Sequence, residues 1–183
     1  MKNKKVLILG ASSDIGIAVI NFFLDNDWSV LAHYNNNKKD LNKITNKRLK
    51  KFGFNLKDVS KFQSFINKDK SFKDIDAFVS LTGYIESREI SKIDLKSFYN
   101  HINVNYLSNL LVIQKILPFM SKKKFGRILL SSSTGVKFGG GKTTGLYSLT
   151  KYMNEFFFNS YKDYYKRNIL INALRIGVTE TKI

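Results

Sequence analysis

The start of the chain constrains its fold more than any other feature. Val6-Leu7-Ile8-Leu9 is a short apolar run that leads straight into Gly10-Ala11-Ser12-Ser13-Asp14-Ile15-Gly16. Beyond it, Ile15, Val19, Phe22 and Phe23 recur at helical spacing up to Asp25. A buried strand that turns on a glycine into an amphipathic helix is the first half of a βαβ unit. Gly10 lets the chain turn off the strand, and Gly16 lets the helix pack close to it. The N–H groups and the dipole at such a helix start suit a pyrophosphate. Ser12 and Ser13 equally read as helix caps. The turn alone leaves both readings open.

The same alternation continues. Ser29–Ala32, Arg48–Leu56, Ile75–Val79, Arg127–Leu130 and Ile169–Leu174 read as further strands. Val59, Phe62, Phe65 and Ile66 space as a helix, and Leu107–Met120 and Ser148–Tyr165 are long helical stretches. Strand and helix in turn imply an α/β fold, a doubly wound parallel sheet with helices on both faces and right-handed crossovers. The 183 residues suit one domain, 1–183, and neither an internal repeat nor a linker interrupts them.

Composition narrows the function classes. With no Cys, disulfide scaffolds, thiolate zinc sites and cysteine nucleophiles are excluded. The formal charge of +17 permits nucleic acid or an anionic membrane as partner, but the lysines are scattered. The densest runs, Lys38-Lys39 and Lys122-Lys123-Lys124, are short. The expectation is therefore no nucleic acid and no membrane. The apolar stretch Leu110–Met120 is broken by Gln114, Lys115 and Pro118, well below the ~18–20 residues of a span. Val6–Leu9 is also too short for the ~7–15-residue apolar part of a signal peptide, which leaves the cytoplasm as the default. His33 and His101 are far apart and lack a carboxylate cluster, so no metal site is expected.

A second constellation lies towards the C-terminus. Tyr147-Ser148-Leu149-Thr150-Lys151 puts a phenol and an ammonium four residues apart, on one helix face. A cation ~5 Å from the phenol, at an effective dielectric of ~20, contributes about 3 kcal/mol and draws its pKa down towards neutrality. By itself this pair is weak evidence in a chain with 9 Tyr. It follows the strand Arg127–Leu130, which ends in Ser131-Ser132-Ser133, and Asn103-Val104-Asn105-Tyr106 heads the helix before that strand.

Together these motifs resemble the short-chain dehydrogenase/reductase family over essentially the whole chain. The first turn is similar to the family's Thr-Gly-x-x-x-Gly-x-Gly, with Leu9 for Thr and Asp14 for the middle Gly. Asp14 is expected to point away from a pyrophosphate or to cap the helix. Asn105, Ser133, Tyr147 and Lys151 match the family's catalytic Asn, Ser, Tyr and Lys, with Ser132 as fallback for Ser133. Asn55-Leu56 matches the segment around the adenine. Ser80-Leu81-Thr82-Gly83 replaces Asn-Asn-Ala-Gly. Ile176-Gly177-Val178-Thr179-Glu180-Thr181 is similar to the Pro-Gly-x-x-x-Thr segment at the nicotinamide, through Gly177, Val178 and Thr181.

The resemblance implies a Rossmann-type sheet of order 3-2-1-4-5-6, with the family's seventh strand and substrate lid missing. It implies hydride transfer between a nicotinamide and a small carbonyl or alcohol substrate, with reduction favoured. Tyr147 is then the acid-base group. Lys151 lowers its pKa and holds the ribose, Ser133 binds the substrate oxygen, and Asn105 holds a water. Gly10, Ser12, Ser13, Asp14, Ile15, Gly16, Tyr34, Asn35, Asn55, Leu56, Thr82 and Gly83 are the matching cofactor positions, with Asn105, Tyr147 and Lys151 as well. No carboxylate stands near Tyr34 and Asn35, and Lys38 and Lys39 follow, so NADP is expected and NAD is the alternative. His33 is expected to pack on the adenine side and His101 to lie on a helix surface. A homodimer or homotetramer through helices 107–120 and 148–165 is also implied. The alternative function is a truncated, non-catalytic NADP-binding or scaffold protein.

Overall fold

The structure is a computed structural model that describes residues 4–180, with the side chains of residues 157–160 and 162 set aside. Six strands form one sheet: β1 (Lys5–Leu9), β2 (Ser29–Tyr34), β3 (Leu49–Gly53), β4 (Ala77–Ser80), β5 (Gly126–Ser133) and β6 (Ile169–Ile176). Their order is β3-β2-β1-β4-β5-β6, with every pairing parallel. The expected Rossmann order is the one observed. It reverses direction between β1 and β4, and the crevice above such a switch point is where α/β sheets bind ligands.

The helices are α1 (Asp14–Asp25), α2 (Lys39–Lys43), α3 (Val59–Lys68), α4 (Leu95–Ile102), α5 (Ser108–Lys123) and α6 (Gly145–Ser160). Side chains alternate across each strand, so the sheet feeds two apolar layers. Leu7, Leu9, Leu31 and Phe78 meet Phe62 and Ile66 of α3 and Val112, Ile113 and Ile116 of α5 on one face. Val6, Ile8, Val30 and Val79 meet Ile20 and Leu24 of α1 on the other. With both faces covered, the central strands β1, β2 and β4 are near-continuous buried runs instead of alternating ones.

Three segments differ from the sequence expectations. The helix expected from Leu107 is longer and is preceded by α4 and a π-helical turn at Asn103–Leu107. Asp94 caps α4, its carboxylate accepting from Ser97 N at 2.7 Å. The interior positions of α4 are Ser97 and His101, and polar interior residues hide a helix from hydrophobic periodicity. His101 is fully buried, contrary to its expected place on a surface. Nδ1 of His101 donates to Ser97 O at 2.8 Å and Nε2 accepts from Glu86 N at 3.2 Å, which satisfies a buried imidazole.

The stretch Ser148–Tyr165 is not one helix. α6 ends at Ser160, and a 3-10 segment Lys162–Arg167 follows. The tighter winding turns Tyr161 and Tyr164 onto the core and leaves Tyr165 exposed. Asn168, at φ 55°, then reverses the chain into β6.

Candidate active site

The turn after β1 is held open by its backbone. Gly10 has φ +75°, and a Cβ there would stand 2.9 Å from the Leu81 carbonyl carbon. Ser13 is the cap of α1: its hydroxyl accepts from Gly16 N at 3.1 Å and donates to Gly10 O at 3.0 Å. Asp14 is therefore not the cap but the first helical residue, where the helix dipole favours a carboxylate. A Cβ on Gly16 would fall 2.6 Å from the backbone of Ala11, so this glycine sets the approach of helix to strand.

Above the turn runs a groove of about 650 Å³. Gly10, Ser12, Ser13, Asp14, Asn35, Asn55, Leu56, Thr82 and Gly83 line it. Ile15 and Gly16 are not among its lining residues and sit behind the turn. Tyr34 is not in the groove either. Its ring packs towards Gly53, where an added Cβ would lie 2.9 Å away, and on the side of β2 that carries Ala32. Strand alternation sends His33 into the groove instead. Lys38, expected near a phosphate, lies 5.7 Å over the Tyr34 ring. Between β2 and β3, Lys39 and Lys43 line the groove, together with Asn37 and Asp40. Lys57, Tyr84 and Val104 also line it. Of these additions only His33 had a legible signal, because reading β2 one residue further reveals its face.

At the other end, Leu81, Thr82 and Gly83 are shared with a second cavity of about 280 Å³. Ser131–Thr134, Tyr147, Lys151, Gly177 and Val178 complete its wall. Thr181 lies outside the described residues. A third cavity, of about 380 Å³, adjoins Ser133 and Tyr147 and is lined further by Ile85, Gly135, Phe138 and Thr144.

The three hydroxyls that end β5 separate by strand alternation. Ser132 also lines the cavity, but its hydroxyl is bonded to the Glu155 carboxylate, with Oγ 2.5 Å from Oε1, so its proton is already engaged. Ser131 and Ser133 face the cavity side. Ser131 Oγ accepts from Lys151 Nζ at 2.8 Å, a role the sequence did not reveal. Ser133 Oγ accepts from Gly135 N at 3.2 Å, which leaves its own hydroxyl proton to donate.

Lys151 is 2% exposed. Its ammonium also donates to Thr82 O at 2.8 Å, and burial lowers its pKa to about 8. It lies 5.9 Å from the centre of the Tyr147 ring. The Tyr147 pKa is raised, because burial disfavours the phenolate. This corrects the expectation that Lys151 draws it down. The ammonium is spent on Thr82 and Ser131, and desolvation of the phenol outweighs a cation placed over the ring.

Asn105 is fully buried in the π-helical turn. Its Oδ1 accepts from Tyr84 N at 2.6 Å, and its Nδ2 donates to Tyr84 O at 3.0 Å and to Thr150 Oγ1 at 2.9 Å. Its carbonyl accepts from the amides of Asn109 and Asn154, at 3.0 and 2.9 Å. It lines none of the three cavities and instead pins the segment after β4 to α6. Tyr84 in turn donates to Glu86 Oε2 at 2.9 Å, and the bonds from Tyr84 and Arg88 lower the Glu86 carboxyl to about 2. No group of three metal-ligating side chains occurs among the described residues, and no described helix is long and apolar enough to cross a membrane.

Lys151 makes stability depend on pH in the ligand-free protein. Below about 8 folded and unfolded chains both carry its proton, and the whole burial penalty is present. Between about 8 and 10.5 only the unfolded chain binds that proton, so stability rises with pH across the window. The rise is about 3 kcal/mol at most. Lys151→Met is expected to abolish it in denaturant unfolding across that window, and equal pH slopes in the two proteins would contradict it.

Comparison with known proteins identifies the family. The family described as short chain dehydrogenase matches residues 4–183. The uncharacterized oxidoreductase YvrD of Bacillus subtilis is 30% identical over 75% of this chain, which spans only 54% of that protein. The 3-oxoacyl-[acyl-carrier-protein] reductase FabG of Thermotoga maritima is 25% identical over 99% of this chain and 76% of its own length. Among solved structures, ElxO with NADP bound superposes with a TM-score of 0.83 at 24% identity, covering 98% of this chain and 75% of ElxO. A short-chain dehydrogenase from Streptomyces avermitilis gives 0.88 at 16% identity, over 100% of this chain and 68% of that one. With a family match over nearly all its length, this chain belongs to the short-chain dehydrogenases.

Proposed function

We propose that the chain binds NADP(H) above the C-terminal edge of its sheet and acts as a reductase on a small carbonyl compound. The observation that carries this reading is the continuity of the groove. It runs from the N-terminus of α1 through Leu81, Thr82 and Gly83 to Tyr147 and Lys151. The residues fit a dinucleotide. The turn offers backbone N–H groups to a pyrophosphate, and Gly83 leaves the wall open, with an added Cβ 3.8 Å from the Tyr147 hydroxyl. The bound cofactor supplies the hydride.

The chain's own groups then have distinct tasks. Tyr147 holds a proton firmly, because burial raises its pKa, and it releases that proton to the substrate oxygen. Once it has donated, the Lys151 ammonium, 5.9 Å from the centre of the ring, offsets part of the phenolate's desolvation. Two Lys151 protons are engaged by Thr82 and Ser131, and the third serves a ribose hydroxyl. Ser133 donates to the substrate oxygen, and Asn105 keeps the Tyr84 segment against α6. Lys39 and Lys43 would meet a 2′-phosphate, although Asp40 beside them pairs with Lys43 at 2.7 Å.

NADPH is expected to bind about tenfold more tightly than NADH, since charge-assisted phosphate contacts contribute about 1–2 kcal/mol. Lys39→Ala should erase most of that preference and leave NADH binding unchanged, by fluorescence titration. Tyr147→Phe should still bind NADPH but lose at least a hundredfold in turnover of a ketone panel. NADH binding more tightly would overturn the cofactor choice, and a fully active Tyr147→Phe would overturn the acid-base assignment and favour a non-catalytic binding protein.

We also propose that the chain self-associates. Leu149, Tyr152 and Phe156 stand exposed along one stripe of α6, and Leu95, Phe98 and Tyr99 are exposed on α4, which packs beside it. The helix from Leu107 contributes none of the exposed large apolar residues, which shifts the expected surface from α5 to α4. The side chains of Phe157 and Phe158, in the expected interface helix 148–165, lie outside the described residues. Sedimentation should show a dimer at micromolar concentration that Tyr152→Glu converts to monomer, whereas a wild-type monomer would contradict the assignment.

A further inference from the structure

We infer that His33 is a positioning residue that ties the phosphate-binding turn to the adenine side of the groove through two hydrogen bonds of one imidazole. The inference rests on the cofactor reading above and concerns how this chain holds that groove in shape. Nδ1 of His33 accepts from Gly10 N at 3.2 Å, and Nε2 faces Phe54 O at 2.9 Å. A backbone N–H can only donate and a backbone carbonyl can only accept. The two partners therefore select one species, the neutral ring protonated at Nε2. The other neutral tautomer would set N–H against N–H and lone pair against lone pair. The charged ring would set N–H against N–H at Gly10.

The two partners belong to different walls. Gly10 is the residue with φ +75° that starts the turn. Phe54 immediately precedes Asn55 and Leu56, which line the far side. A second bond reinforces the first: the His33 carbonyl accepts from Ala11 N at 2.9 Å, so one residue holds two successive peptide groups of the turn. The ring is 3% exposed and lies 5.4 Å from the Phe52 ring, so it has little freedom to turn. Burial lowers its pKa to about 4, which keeps it neutral at ordinary pH. Without this tie the turn and the loop after β3 would adjust independently, and a dinucleotide that touches both would have to order them on binding.

The experiment uses the whole chain and three readouts. Nitrogen-15 NMR of the ligand-free protein at neutral pH should show His33 protonated at Nε2 only. His33→Leu should weaken NADPH binding at least tenfold in fluorescence titration. His33→Asn places an amide oxygen where Nδ1 stood, so it restores the bond to Gly10 while losing the one to Phe54. With one bond it cannot span the two walls, so it should bind NADPH at least tenfold more weakly than wild type, even where its melting temperature recovers above that of His33→Leu. Loss of affinity that does not follow stability separates positioning from a purely structural role. A ring protonated at Nδ1, or unchanged NADPH affinity in His33→Leu, would overturn the inference. So would a His33→Asn variant that binds NADPH as tightly as wild type. If His33→Leu does not fold, the tautomer and the asparagine variant still decide. Wild-type protein that binds neither NADPH nor NADH, with the Nε2–H ring in place, would overturn the cofactor reading and with it the purpose of the tie.

Discussion

The burial of one ammonium, that of Lys151, organises the upper edge of this sheet. A charge that is 2% exposed must find partners or lose its proton, and Lys151 does some of each. It reaches the carbonyl of Thr82 after β4 and the hydroxyl of Ser131 in β5, while its own backbone lies in α6. These bonds fasten three elements at one point. They fix the rotation of α6, and α6 carries Tyr147 one turn earlier, at the mouth of the cavity. Ser80 and Thr82, whose hydroxyls lie 2.9 Å apart, hold the polar floor below. Ser80 stands at the first asparagine of the resembled family's segment and Thr82 at its alanine, and the Thr82 backbone carbonyl accepts the lysine whatever side chain it carries.

A second polar layer continues from this point. Asn154, one turn beyond Lys151, donates to the carbonyl of Asn105, and Thr150 accepts from the Asn105 side chain. Asn105 in turn holds both backbone groups of Tyr84. The segment after β4 is thus hydrogen-bonded to α6 and the π-helical turn, and the Tyr84 ring packs edge-on against His101. Buried amides are costly unless paired, and their pairing here selects one position for that segment. Glu155, in the same helix, accepts a two-pronged bond from Arg175 at 2.8 and 2.7 Å, which ties the end of β6 to α6. The wall that carries Gly177 and Val178 follows from that bond.

The sheet was legible because its strands are apolar runs separated by glycine turns and amphipathic helices, and buried parallel strands leave that pattern. Gly10 to Gly16, Asn55, Gly83, Ser133, Tyr147 and Lys151 were legible by motif order. What the sequence did not reveal depends on orientation. Tyr34 and His33 are neighbours, and a strand sends one away from the groove and the other into it. Lys38 and Lys39 are also neighbours, and only Lys39 lines the groove. The cap went to Ser13, not Asp14, because a short hydroxyl reaches Gly16 N. The Tyr147 pKa went the other way because spacing gives the separation of two groups but not their burial. Asn105 carried the right residue type, but its amide is bonded to the Tyr84 backbone and the Thr150 hydroxyl.

The central claim is that Tyr147 and the NADP(H) groove meet around one reacting carbon. It is tested most directly by following the label from NADPH deuterated at C4 during reduction of a ketone by this chain. The account predicts deuterium on the carbinol carbon of the product, with the hydroxyl proton drawn from solvent. A chain that binds NADPH with its groove intact, yet never places that deuterium on carbon with any ketone or 3-oxo thioester tried, would contradict it.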